Sequence, residues 1–330
     1  INDGEIESKI FSGTKAVQST GIYTEKFGVV INRNKINLGD EGIGIFGYYS
    51  NIINDVTGII NSGDFGVGEY VTLGSVVENN GKILVGNQGV GIYADNISGG
   101  IINGGVIDLS GDKSVGIYAT GPAKNIVNTG TIKVGNSTEL NNPSIGIYTT
   151  TPGDIVTNSS VIDSGANSIG IYAEGATVSQ NGTSVIGETG TGIYTKGGNV
   201  VLGFASNMQV GMNEAVGVYG TNGTYIVNSS MNPVNIGYGG YGFILETGSV
   251  LDNHGILALN GKGTGVYSDG ANIVNNHTGA DINMAGDNNI GIYMVSGGTV
   301  NNDANINGTS GKSNIGIYNK NGTITNTGTI

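Results

Sequence analysis

A short motif, Gly-Ile-Tyr or a close variant, returns through the whole chain at a nearly constant interval. Its glycines are Gly21, Gly44, Gly68, Gly91, Gly116, Gly146, Gly170, Gly192, Gly217, Gly242, Gly265, Gly291 and Gly316, so successive copies lie 22 to 30 residues apart. Gly68-Glu69-Tyr70 and Gly242-Phe243-Ile244 are the poorer copies. A period of this length means stacked supersecondary units, none of which can bury its apolar face alone. It also argues against a single grafted active site and for a scaffold with a repeated surface.

The interval between motifs has its own grammar. Ser114–Ala119 alternates with period two and reads as a strand. Thr120-Gly121-Pro122-Ala123-Lys124 is a turn, Asn125–Asn128 a second short strand, and Thr131–Val134 a third after a tight Thr129-Gly130 turn in which Gly130 takes positive φ. Three short strands and three corners in about 24 residues make one rung of a parallel β-helix. A leucine-rich repeat lacks its Leu pattern here, and a propeller blade needs some 40 residues. The expected fold is therefore all-β: a right-handed parallel β-helix, a solenoid of about 13 rungs of three short strands. At about 4.8 Å per rung it would form a rod on the order of 60 Å long.

Within a rung, the alternation places Val115, Ile117 and Ala119 inside and Gly116 and Tyr118 outside. The aromatic positions, from Tyr23 and Phe46 to Tyr293 and Tyr318, then form an external ladder whose rings cover neighbouring glycines. Corner asparagines such as Asn128, Asn253, Asn275 and Asn326 suit stacked amide ladders. Asn181-Gly182-Thr183 and Asn321-Gly322-Thr323 read as turns rather than glycosylation sites. Asp108, Lys133 and Asp163 fall at one place in three successive rungs, as a charge column of little energetic weight.

Composition narrows the function. The net charge is −12 and Arg33 is the one arginine, so nucleic acid is excluded as a partner and an anionic membrane surface disfavoured. Cysteine is absent, which removes disulfides, thiol nucleophiles and thiolate metal sites. No signal peptide or transmembrane run is evident, and the chain reads as a fragment of a longer array without polar caps. No catalytic set assembles. The carboxylate cluster and neighbouring basic residue of β-helical polysaccharide lyases are not found, and neither His254 nor His277 has a nucleophile partner. The two histidines should stack one rung apart beside Asp252, as solvent-facing corner residues rather than a metal site. No metal and no cofactor is expected.

The chain is read as one β-helix segment over 1–330, with two departures from regularity. Residues 135–143 form an insertion expected to leave the scaffold as a loop. Residues 197–245 are irregular, with Met208, Met212, Tyr225, Met231, Tyr238, Tyr241 and Phe243 clustered in sequence. Binding is often grafted onto such departures, although Met and aromatic groups also suit an altered core. The binding residues expected are Tyr238, Tyr241 and Phe243, with Glu139 and Asn141 from the insertion.

Units such as Val115-Gly116-Ile117-Tyr118-Ala119 followed by Asn125-Ile126-Val127-Asn128-Thr129-Gly130-Thr131-Ile132 resemble the passenger domains of large type V autotransporters, particularly fusobacterial outer-membrane adhesins. The resemblance covers essentially the whole chain. It implies display on the bacterial outer surface, a parent chain with a C-terminal outer-membrane barrel, and attachment to host cells or other bacteria. The partner would be a host cell-surface glycan or protein receptor, or partner bacteria. The segment itself would not be membrane-embedded. The alternatives are a structural stalk whose parent binds elsewhere and a carbohydrate-active enzyme, the latter disfavoured by the missing carboxylate cluster.

Overall fold

The computed structural model describes residues 1–8, 18–73, 76–97, 99–122, 124–139, 141–228 and 232–330, and the backbone of 10–11 and 14–15. Ala123, Leu140 and Met231 lie outside the described residues. The fold is all-β, a parallel β-helix of about 12–13 turns with three strands per turn, and no helix among the described residues. It divides into two units, 1–172 and 173–330.

In the first unit the rung of 115–134 represents the rest. Its strands are Val115–Thr120, Asn125–Asn128 and Thr131–Val134. Each pairs in parallel with its counterpart in the rungs before and after, Tyr118 opposite Tyr93 and Tyr148, and Asn128 opposite Asn103 and Asn158. Asp108, Lys133 and Asp163 share one column as expected. An antiparallel pair, Ile10–Phe11 with Thr14–Lys15, precedes the first Tyr-bearing strand.

The core is a set of columns. Ile117, Ala119, Ile126, Ile132 and Val134 are buried in this rung. The expected alternation fails at the start of the first strand: Val115 is half-buried and Gly116 points inward. Two successive residues, Gly116 and Ile117, thus face the core. A Cβ on Gly116 would sit 2.4 Å from the Gly146 carbonyl oxygen and 2.8 Å from Ile132 Cγ2. The motif's glycine is required by this close approach and is not a bare surface position roofed by a ring. Gly130 is likewise a close-approach residue: its φ is not positive, and a Cβ would lie 2.0 Å from the Gly105 carbonyl oxygen.

Positive φ is concentrated at two other corners and is mostly carried by non-glycine residues. Lys26, Tyr49, Leu73 and Asn96 hold φ of 50–59° after the first strand, and Gln18, Glu41, Phe65 and Gln88 hold 55–56° before it. Each donates its N–H to a carbonyl of the following rung, as Leu73 does to Asp95 and Gln88 to Asp112, at 3.1 and 2.8 Å. That cross-rung bond offsets a left-handed backbone which costs an ordinary residue about 1–2 kcal/mol. The side chain is left pointing outward.

Two side-chain ladders run through the first unit. Outside, the rings of Tyr23, Phe46, Tyr70, Tyr93, Tyr118, Tyr148 and Tyr172 stack at centroid separations of 4.7–5.3 Å. Inside, Asn32, Asn54, Asn79, Asn103, Asn128 and Asn158 pass one amide hydrogen bond to the next at 2.7–2.8 Å. These amides are fully buried, so the ladder satisfies groups that would otherwise be stranded.

The second unit uses the same rung with substitutions. Its amide column runs through Asn253, Asn276, Asn302 and Asn326 at 2.7 Å, but its register places Leu202 and Val227 ahead of Asn253. Asn275 belongs to a different column, outside, where it bonds Asp252 and Asn301. Ile244 replaces the ring between Tyr219 and Tyr267. Met208, Tyr225 and Phe243 fill the core, and Gly220, between Thr195 and Leu245 in its column, leaves room for the Tyr225 ring that a Cβ there would meet. Burial pushes the Tyr225 phenol up to about 12, with Ser249 pulling the other way.

Candidate binding site

The site grows from the corner before the first strand, in the second unit. Asn213, Glu214, Gly239, Gly261, Lys262 and Asn288 take left-handed backbone there. Cross-rung bonds hold the column: Glu214 N–H donates to Gly239 at 3.0 Å, Gly239 to Gly261 at 3.1 Å, and Lys262 to Asp287 at 2.7 Å. Side chains of successive rungs therefore leave the scaffold side by side, although 22 to 26 residues separate them in sequence.

Tyr238 stands in the middle of this column with 48% of its surface exposed. Lys262 Nζ sits 5.3 Å above its ring, a cation–π distance, and the Tyr238 phenol holds the ammonium above its ordinary value. Open grooves of about 520 and 490 Å³ flank the pair. The first is lined by Asn260, Asp287 and Asn288, the second by Thr189, Asn213, Glu214 and Tyr241, and both by Tyr238 and Lys262. The arrangement offers an aromatic surface, an ammonium, two carboxylates and several amides to one ligand.

Residues 2–124 match the family model described as BigA third pectate lyase-like domain. No curated protein and no solved structure matches the chain. The matched stretch lies wholly in the first unit, and the Tyr238 corner lies outside it. The match therefore bears on the scaffold and assigns nothing to the grooves.

The expected binding residues separate on the structure. Tyr238 and Tyr241 line one groove, Tyr241 half-buried with its ring edge-on to Tyr267 at 6.2 Å. Phe243, expected to bind, is instead fully buried, in register with Val218 and Val266 at the core position of the motif, and has no surface to offer a ligand. Met212 is exposed, whereas Met208 is core. Lys262, Asp287 and Glu214 were not anticipated. Counting back three or four residues from each motif glycine aligns them with Tyr238, and that alignment was the available signal.

Glu139 and Asn141 lie in the first unit, exposed in the connection between Thr131–Val134 and Ile145–Thr149. Glu139 accepts from Lys113 Nζ at 2.7 Å, and Thr138 bonds Asp112 at 2.7 Å through its hydroxyl. The Thr138 hydroxyl and amide bonds hold the Asp112 carboxyl below its usual range. The carboxylate of Glu139 is thus engaged on the scaffold itself.

His254 and His277 stack with ring centroids 4.1 Å apart and planes 1° from parallel, one rung apart as expected. His277 Nε2 lies 3.2 Å from Asp252 Oδ1. Burial pushes Asp252 up, but hydrogen bonds from Asn275 and His277 outweigh it and hold the carboxyl low. Among the described residues no group of three or more His, Asp or Glu side chains is placed to hold a metal ion.

Proposed function

We propose that this chain is a non-enzymatic segment of a bacterial surface adhesin, and that the corner around Tyr238 and Lys262 takes part in attachment to a host cell-surface glycan or protein receptor, or to partner bacteria. The observation that carries the reading is the exposed Tyr238 ring, which packs no core and stands beside a lysine between two open grooves. Aromatic rings flanked by amides and charges suit sugar faces and protein hot spots. The similarity of residues 2–124 to a pectate lyase-like domain of a bacterial surface protein supports display outside the cell. A repeated scaffold that offers several weak contacts would gain strength through avidity.

The test is saturable binding of labelled protein to epithelial cells, with and without competing galactosides, repeated with Tyr238→Ala and Lys262→Ala. Saturable binding that both variants lose supports the site. Block by sugar assigns a glycan, and indifference to sugar a protein receptor. Binding that survives both variants rejects the corner. A folded protein that binds nothing favours the structural stalk, a role to which the uninterrupted ladders of the first unit are suited.

A further inference from the structure

A lysine shielded from water must pair its charge or lose it. Lys124 precedes the second strand of its rung in the first unit, and its side chain is fully buried, as is that of Asp154 one rung on. Lys124 Nζ stands 3.6 Å from Asp154 Oδ1, beyond hydrogen-bond length, and has no hydrogen-bond partner. The carboxyl, by contrast, is gripped from both sides. The Lys124 backbone N–H donates to Oδ1 at 2.8 Å, and the Thr149 hydroxyl donates to Oδ2. Burial pushes the amine down toward its neutral form, against the attraction of Asp154 and, more weakly, of Asp95. A buried amine next to a polarised carboxyl is an activated nucleophile beside its electrophile. Holding the two in place removes the entropic barrier to their reaction, and a dry site disfavours the reverse hydrolysis.

We propose that Lys124 and Asp154 condense to an intramolecular isopeptide bond, a covalent link between two successive rungs. Proton transfer within the ion pair gives the free amine and the carboxylic acid. The Nζ lone pair attacks Cγ, which the Thr149 hydroxyl and the Lys124 N–H polarise. The new N–C bond forms, the C–Oδ2 bond breaks, and Oδ2 departs as water with its own proton and one from Nζ. Nothing is oxidised or reduced, and no co-reactant is required.

The link would close a 30-residue loop that contains the 135–143 connection. The proposal is independent of the binding reading. Its test is the intact mass of the purified protein, followed by a protease digest. The expected mass is one water below that of the sequence, with a branched peptide in which Asp154 acylates Lys124 Nζ. Full sequence mass, with both peptides recovered linear, overturns the proposal and leaves a buried ion pair. A missing water that persists in Lys124→Arg also overturns it, by placing the dehydration elsewhere. The branched peptide is sought in the unaltered protein, so the result does not depend on whether a variant folds.

Discussion

In the first unit, seven outward rings from Tyr23 to Tyr172 stack nearly face to face, and six buried amides hand on a single chain of hydrogen bonds. In the second, Ile244 interrupts the rings, Leu202 and Val227 stand in the amide column, and Tyr267 meets its neighbours tilted or edge-on at 5.6 and 6.2 Å. The backbone pairing is the same in both. Parallel strand pairing and the corner hydrogen bonds therefore define the rung, while the side-chain columns are exchangeable provided a column changes coherently. Leu202 and Val227 are neighbours, so the column meets amides, Gln180 and Asn253, only at the two ends of the apolar pair, and Gly220 makes room for the large Tyr225. The first unit also contains an incoherent exchange. Glu69 occupies an Ile position of the core, fully buried, with both carboxyl oxygens unpaired.

The sharpest way to break this comparison is at the motif glycine. Gly116→Val drives a side chain into the Gly146 carbonyl, which cannot move without the strand, and should lower stability by about 3 kcal/mol. Gly220→Ala in the second unit meets a side chain instead, so Tyr225→Val should recover most of its loss. Failure of that rescue in a double-mutant cycle would show that Gly220 is also held by backbone. Next is the amide column. Asn103→Leu strands the Asn79 amide and the Asn128 carbonyl oxygen and should cost about 2–4 kcal/mol, read as a shift in urea midpoint. The reciprocal Leu202→Asn would meet the Gln180 amide on one side and Val227 on the other, so it should destabilise less than Asn103→Leu; an equal loss would show that the Gln180 amide does not reach it.

Glu69→Ile should have the opposite sign and stabilise the first unit by about 2 kcal/mol at neutral pH. Burial, and more weakly the nearby charge of Glu78, hold the Glu69 carboxyl well above the ordinary carboxylate value of 4.5, so the folded state retains the proton longer than the unfolded one. The group's contribution is therefore best below that value and declines as pH rises through the folded value. Urea midpoints of the unaltered protein should fall between acidic and mildly alkaline pH by more than those of Glu69→Ile. Parallel curves would remove Glu69 as the cause. The smallest effect is on the outer ladder. Tyr118→Leu should cost about 1 kcal/mol, and Tyr267→Leu measurably less, because its ring contacts are longer and tilted.

Much of this architecture was legible in the sequence. The strands 125–128 and 131–134 were read to the residue, because Gly and Asn punctuate runs of alternating character. The alternation misled at Val115 and Gly116, where two consecutive residues turn inward and period two does not hold. Phe243 was expected to bind because it lies in the irregular stretch beside Tyr238 and Tyr241, although its place after Gly242 already marked it as core. The amide column was visible in Asn128 and Asn253, but Asn275, one residue before the true member Asn276, shows how a single step in register changes the face. Tyr238 and Tyr241 could be named from sequence. Lys262, Asp287 and Glu214 could not be found by local reading, since the helix brings them to Tyr238 from other rungs.

The left-handed corners have a consequence for how such a surface changes over time. Each corner is secured by main-chain bonds to the next rung, so its side chain is free of structural duty, and adjacent side chains are encoded roughly one repeat apart. Loss or duplication of one whole repeat, by slippage between similar stretches of coding sequence, would leave each ladder able to close on the next rung. It would nevertheless bring a different residue alongside Tyr238. Recognition could thus be reshuffled in single steps while the fold is conserved, with the repeat as the unit of inheritance and the corner as the unit of variation.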